Sequence, residues 1–190
     1  MKLLQEKIKA EGEVLSETIL KVDSFLNHQI DAKLMLEIGK EFANLFKDEK
    51  ITKVITIEVS GIAPAMAAAA YLDVPLVFAK KTKSVTMDEN VYSSDVVSFT
   101  KGVTNTIQIA KKFIDKKDKI LIIDDFLASG NALVALNKII KESGATLVGA
   151  GIVIEKGFQK GGEKLRKEGF KIESLAIVEK MGKDGIVFKK

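Results

Sequence analysis

Lys119-Ile120-Leu121-Ile122-Ile123-Asp124-Asp125-Phe126-Leu127-Ala128-Ser129-Gly130-Asn131-Ala132 constrains this chain more than any other stretch, because it changes character twice within one short run. The consecutive branched aliphatics at 120–123 suit a strand buried on both faces. Two adjacent carboxylates at its end then emerge where parallel α/β sheets bind their ligands. The residues after Phe126 and Leu127 are small or polar and open a helix whose apolar positions are Leu133, Leu136, Ile139 and Ile140. Free N–H groups at a helix N-terminus, with Gly130 permitting close approach, form an anion cradle. One turn therefore joins two carboxylates able to read hydroxyls or hold a metal to a seat for phosphate.

This order of hydrophobic strand, Asp-Asp, two residues and five-residue loop resembles the signature of the phosphoribosyltransferases. The resemblance implies a donor, phosphoribosyl pyrophosphate (PRPP), with Asp124 and Asp125 facing its ribose hydroxyls. Ala128, Ser129, Gly130, Asn131 and Ala132 would wrap its 5′-phosphate. Mg²⁺ would arrive on the pyrophosphate, and no protein side chain is assigned to it. Many members carry a hydroxyl residue where this chain has Ala132, so one phosphate contact is expected from Ser129, Asn131 or the backbone instead. Response-regulator receivers also end a strand in acids, but keep the pair near the chain start. Here it lies past the middle.

A chain of 190 residues is long enough for one domain that buries about 70% of its unfolded surface. It has no cysteine, so neither a disulfide framework nor a thiolate metal site is available, and its one histidine excludes His-rich metal centres. The 30 basic and 26 acidic residues are interleaved, which reads as a solvated surface rather than a nucleic-acid footprint. The opening MKLLQEKIKAEGE is a charged amphipathic pattern rather than a secretion signal, and no run of 18 apolar residues follows. A soluble, cytoplasmic protein with no nucleic-acid or membrane partner is expected.

Apolar spacing predicts helices over 1–15 and 32–46, the second with Asp31 as its N-cap, and an extended piece at 18–22 followed by a loop over 23–31. A strand at 51–59 leads through Ser60 and Gly61 to an Ala-rich helix with Pro64 in its first turn. Strands are expected at 74–79, 103–109, 119–124, 146–154, 172–178 and 186–188, and helices at 130–143, closed by Gly144, and 161–168. Alternation of strand and helix argues for βαβ units, hence an α/β fold with a central, mostly parallel twisted sheet flanked by helices. The polar insertion 80–101 reads as a hairpin-like flap, with the turn-like Met87-Asp88-Glu89-Asn90 inside it.

The loop Val59-Ser60-Gly61-Ile62-Ala63 would offer backbone N–H groups to pyrophosphate, and it lacks the Gly-Lys-Ser/Thr of a Walker A site. The flap's Lys81 or Lys83 would neutralise the same group, with Tyr92 or Ser93 donating to it. Lys156, just past its strand, is a point-charge donor suited to a keto or enolate oxygen.

The passage Ile19-Leu20-Lys21-Val22-Asp23-Ser24-Phe25-Leu26-Asn27-His28-Gln29-Ile30-Asp31, with Glu58-Val59-Ser60-Gly61-Ile62-Ala63-Pro64 and Lys81-Thr82-Lys83, is similar to the bacterial xanthine phosphoribosyltransferases over nearly the whole chain. That resemblance implies a purine-salvage enzyme in which Leu20 and Asn27 hood the base and Lys156 reads its edge. The hood would come from about 1–35 and 155–190 of a single domain, and a homodimer would form. His28 is expected to be structural. Two alternatives stand beside this reading. One is a purine-responsive regulator that binds PRPP without catalysis, although no helix-turn-helix can be fitted before residue 30. The other is a transferase for adenine, guanine or hypoxanthine.

Overall fold

The computed structural model describes residues 1–81, 90–98 and 103–189; Lys83, most of the expected 87–90 turn and the tip of the expected flap lie outside them. The chain runs α1 (Lys2–Glu11), β1 (Glu13–Val14), β2 (Leu20–Lys21), a π-helical turn (Asp23–Asn27), α2 (Ala32–Leu45), β3 (Lys53–Ile57), α3 (Ile62–Leu72), β4 (Leu76–Ala79), β5 (Val91–Ser98) and β6 (Val103–Ala110). Then follow β7 (Lys119–Leu127), α4 (Asn131–Ser143), β8 (Thr146–Lys156), α5 (Gly161–Lys167), β9 (Ile172–Gly182) and β10 (Gly185–Phe188).

Six strands form one sheet in the order β10-β9-β8-β7-β3-β4, parallel except for β10. Its two faces carry separate cores. Val54, Leu121, Ile123 and Val153 meet α1, α2 and α3 on one side; Ile55, Ile120, Ile122 and Ile152 meet α4 and the β5–β6 pair on the other. The apolar spacing of α2 is satisfied by burial of Leu34, Met35, Ile38 and Phe42, and Asp31 caps it by accepting from the Leu34 N–H at 3.1 Å. The mostly parallel sheet flanked by helices, expected from the strand and helix alternation, is the one observed.

Besides shifts at strand ends, four features differ from expectation. The first helix stops at Glu11 rather than 15, because Gly12 leaves the helical region while its N–H still bonds Ile8, and the next two residues pair with β2. Within the expected loop 23–31, Asp23–Asn27 winds into the π-helical turn. The strand expected at 103–109 does not join the parallel sheet. It is β6, antiparallel to β5, because it alternates: Ile107 and Ile109 are buried while Thr104 and Thr106 face outward. The hairpin therefore extends past 101 to Ala110, and one bridge, Lys80 to Gln108, ties it to the end of β4. Finally, β7 continues through the acidic pair to Leu127, so Asp124 and Asp125 lie within the strand, with Asp124 opposite Ile152 of β8.

Glu155 and Lys156 end β8 on opposite faces. Arg166 of α5 donates to both Glu155 oxygens, at 2.9 and 2.7 Å, and Ser174 Oγ donates to one of them. Burial alone would raise the Glu155 carboxyl, but the Arg166 and Ser174 hydrogen bonds hold it below its usual value. A folded value below the unfolded one means the pair stabilises above about pH 4.3 and loses that contribution as pH falls through the folded value. Arg166→Met should therefore cost about 3 kcal/mol at pH 7, the low end for breaking a buried pair because Arg166 is itself one-third exposed. In urea unfolding this difference should shrink towards pH 4, where the abandoned glutamate takes a proton.

Candidate active site

The carboxyl ends of β3, β4 and β7 open into a cleft of about 370 Å³ bordered by Ser60, Gly61, Lys81, Asp124 and Asp125, with residues 128–132 along one wall. These were the residues expected for the sugar donor, and the fold brings them together. A larger hollow of about 620 Å³ lies beyond the Gly157–Gln159 turn, but Glu155 and Arg166 there already satisfy one another. The acidic pair and the bend after it lie in the smaller cleft.

Asp124 is 6% exposed, and its carboxyl is pushed well above the usual carboxylate range, first by burial and then by Asp125; the Lys81 charge acts in the opposite direction. Its Oδ1 accepts the Asp125 N–H at 3.1 Å. Asp125 in turn accepts from Asn27 Nδ2 at 3.0 Å, a contact across 98 residues that joins the N-terminal turn to the acidic pair.

After Leu127 the chain bends at Gly130, whose φ of 87° is open to glycine at little cost, and α4 begins at Asn131 with no side-chain cap on its first N–H groups. The bend rests on α5. A Cβ on Gly161 would lie 2.1 Å from the Ala128 carbonyl oxygen and 2.5 Å from Ser129 C, so the two backbones touch. A Cβ on Gly130 would lie 2.6 Å from Leu165 Cδ1. Ala132 is half-buried at the loop's far end and brings no hydroxyl.

Opposite this bend, the Glu58–Val59 peptide is cis and the loop then enters α3 with Gly61 as N-cap. The Lys81 N–H donates to Glu58 Oε1 at 2.6 Å, tying the base of the flap to this loop.

Leu20, Asn27 and Lys156, the residues expected for the base, do not line the cleft themselves but adjoin residues that do, Asn27 through its hydrogen bond to Asp125. Lys156 Nζ donates to the Thr18 carbonyl at 2.8 Å and lies 5.4 Å from the centre of the Phe126 ring, which itself lines the cleft. Burial pulls the Lys156 ammonium below its usual value. Leu20 is buried in the core that Phe126 packs against. His28 is exposed. Tyr92 and Ser93 do not line the cleft: Tyr92 packs on the second core under Lys111, and Val96, Asn105 and Ile107 border the cleft instead. Glu58, Phe126, Gln159 and Gly161 were not singled out from the sequence. The Gly161-Gly162 pair was the one available signal, since paired glycines at a helix start invite close backbone approach.

Residues 24–182 match the family model described as phosphoribosyl transferase domain. Xanthine phosphoribosyltransferases from Bacillus thuringiensis (strain Al Hakam) and Bacillus cereus (strain 03BB102) are each 55% identical over 188 residues, covering 99% of this chain and 95% of theirs. Among solved structures, adenine phosphoribosyltransferase from Thermoanaerobacter pseudethanolicus superposes with a TM-score of 0.74 at 22% identity, over 91% of this chain and 98% of that one. The Giardia lamblia enzyme, complexed with 9-deazaadenine, gives 0.75 at 21% over 92% and 96%. At such identities the structures speak for the fold, and the matched sequence includes the acidic pair and the bend that follows it. The chain belongs to the phosphoribosyltransferase family.

Proposed function

We propose that this protein transfers the phosphoribosyl group of PRPP to xanthine, giving xanthosine 5′-monophosphate and pyrophosphate in purine salvage. The observation that carries the reading is the meeting of the Asp124–Asp125 pair, the bend at 128–132 and the Ser60–Gly61 loop in one cleft, in a chain 55% identical to xanthine phosphoribosyltransferases. Three seats then match three parts of the donor. The N–H groups at the head of α4 and residues 128–132 take the 5′-phosphate, Asp124 and Asp125 take the diol, and Ser60, Gly61 and Lys81 take the pyrophosphate.

Two adjacent carboxylates are hard oxygen donors of the kind Mg²⁺ shares with substrate phosphates, and Asp124 and Asp125 are the residues that would hold it. The ion supplies charge neutralisation for the departing pyrophosphate. The C1′–O bond breaks with its electron pair leaving on pyrophosphate, and a xanthine ring nitrogen forms the new bond to C1′. Xanthine is acidic enough to lose the ring proton to water beforehand, which removes the need for a protein base. Holding both substrates in line and excluding water from the cation-like centre are then the protein's main tasks.

Leu20, Asn27 and Lys156 form the base pocket of this proposal. Lys156, partly desolvated and poised over Phe126, offers a cation to a keto or enolate oxygen. Lys156→Ala should raise KM for xanthine about tenfold or more while KM for PRPP changes by less than about twofold. Equal losses on both substrates would remove Lys156 from the base pocket. A homodimer and a cytoplasmic location complete the proposal; no helix among the described residues is long and apolar enough to cross a membrane.

The test is turnover by purified protein with PRPP, Mg²⁺ and each of xanthine, guanine, hypoxanthine and adenine. Highest kcat/KM with xanthine is expected. A preference for adenine overturns the base assignment, and binding of PRPP with no turnover of any purine favours a regulator.

A further inference from the structure

Thr56 lies on β3 beneath the Ser60–Gly61 loop. Its side chain is fully buried, and its hydroxyl has no hydrogen-bond partner among the described residues. A buried hydroxyl without a partner is costly to keep, and valine would fill the same space without that cost. The hydroxyl is placed with some exactness. A Cβ added to Gly61 would lie 2.2 Å from Thr56 Oγ1 and 2.9 Å from Asp124 Oδ1, so the two oxygens crowd the same α-carbon with no side chain between them.

Asp124 receives the neighbouring Asp125 N–H and sits in a buried position, where a charged carboxylate needs further donors. The hydroxyl of Thr56 makes no hydrogen bond to Asp124 or to any other described residue, yet both oxygens flank the space that a side chain on Gly61 would take. We propose that Thr56 is a positioning residue for PRPP: in the loaded protein its hydroxyl donates to Asp124, aiming that carboxylate at the diol and seating Gly61 of the pyrophosphate loop against it. This rests on the reading of Asp124 and Gly61 as seats for the two ends of the donor. Gly61 fits the same arrangement, since a Cβ there would come within 2.2 Å of the hydroxyl and 2.9 Å of the carboxylate.

The test compares Thr56→Val, which keeps shape and loses the hydroxyl, with Thr56→Ser, which keeps the hydroxyl. Calorimetric affinity for PRPP with Mg²⁺ is measured beside steady-state kinetics with xanthine and the thermal unfolding midpoint. Thr56→Val should weaken PRPP binding and lower kcat/KM for PRPP by about tenfold or more, with KM for xanthine within about twofold and an unfolding midpoint no lower than wild type. Thr56→Ser should stay within about threefold of wild type on every measure. In an Asp124→Ala background, where no acceptor remains, Thr56→Val should change PRPP affinity no further. Unchanged PRPP affinity in Thr56→Val overturns the proposal, as does an equal loss in Thr56→Val and Thr56→Ser accompanied by a lower midpoint, which is the mark of packing alone. Should wild type bind PRPP but prefer another purine, the base assignment fails and the affinity comparison still decides Thr56. Wild type that binds no PRPP overturns both.

Discussion

Replacing both carboxylates, Asp124→Asn with Asp125→Asn, should lower turnover by about 10³-fold or more and leave the protein at least as stable as wild type. The two halves of this result have one cause. Asp124 is buried beside a second acid, so its carboxyl is held well above the usual carboxylate range. A folded value above the unfolded one binds protons preferentially in the native state, so any stability this group contributes is present at low pH and lost as pH rises through the folded value. As pH rises the buried acid is therefore a liability, which an amide of the same shape relieves. The amide is also neutral, and it binds a divalent cation and accepts from the diol hydroxyls more weakly than a carboxylate does. Steady-state turnover and thermal unfolding of the same preparation at pH 7 check both halves. Retained turnover would remove the pair from the reaction, and a midpoint well below wild type would mean that the strand needs its charge.

Gly130→Val should raise KM for PRPP about 100-fold or abolish saturation altogether, for two separable reasons. Gly130 sits at φ 87°, a conformation a β-branched residue resists, and a Cβ there would meet Leu165 Cδ1 at 2.6 Å. Relief of either conflict moves the bend that is to wrap the 5′-phosphate. Gly130→Ala meets the same backbone strain with a smaller side chain, and should fall between wild type and valine in PRPP affinity measured by calorimetry. A valine variant that binds PRPP as wild type does would detach residues 128–132 from the phosphate. Xanthine KM at saturating PRPP serves as the internal control.

The site was legible where its meaning is carried by chain order. The aliphatics at 120–123, the acidic pair and Gly130 follow one another, so strand, carboxylates and bend could be placed without knowing any long-range contact. Asp31 was legible as a cap for the same reason. What could not be read depends on partners far away in sequence. The alternation of 103–109 identifies a strand but not its neighbour, and pairing with β5 rather than the parallel sheet followed from Ile107 and Ile109 having a core to enter on one side only. Gly12 ends α1 early because β2 offers the next residues a partner. The roles of Thr56 and Gly161 exist only through Gly61 and Ala128, which no local pattern connects to them.

The Gly157–Gln159 turn links Lys156, the cation assigned to the purine, to Gly161, the prop beneath the bend assigned to the phosphate. With those assignments, these few residues would act as a calliper with one jaw toward each end of the nucleotide. An insertion or deletion there would shift both jaws together, so a change of base preference in this scaffold is better made by exchanging side chains than by altering the length of that turn.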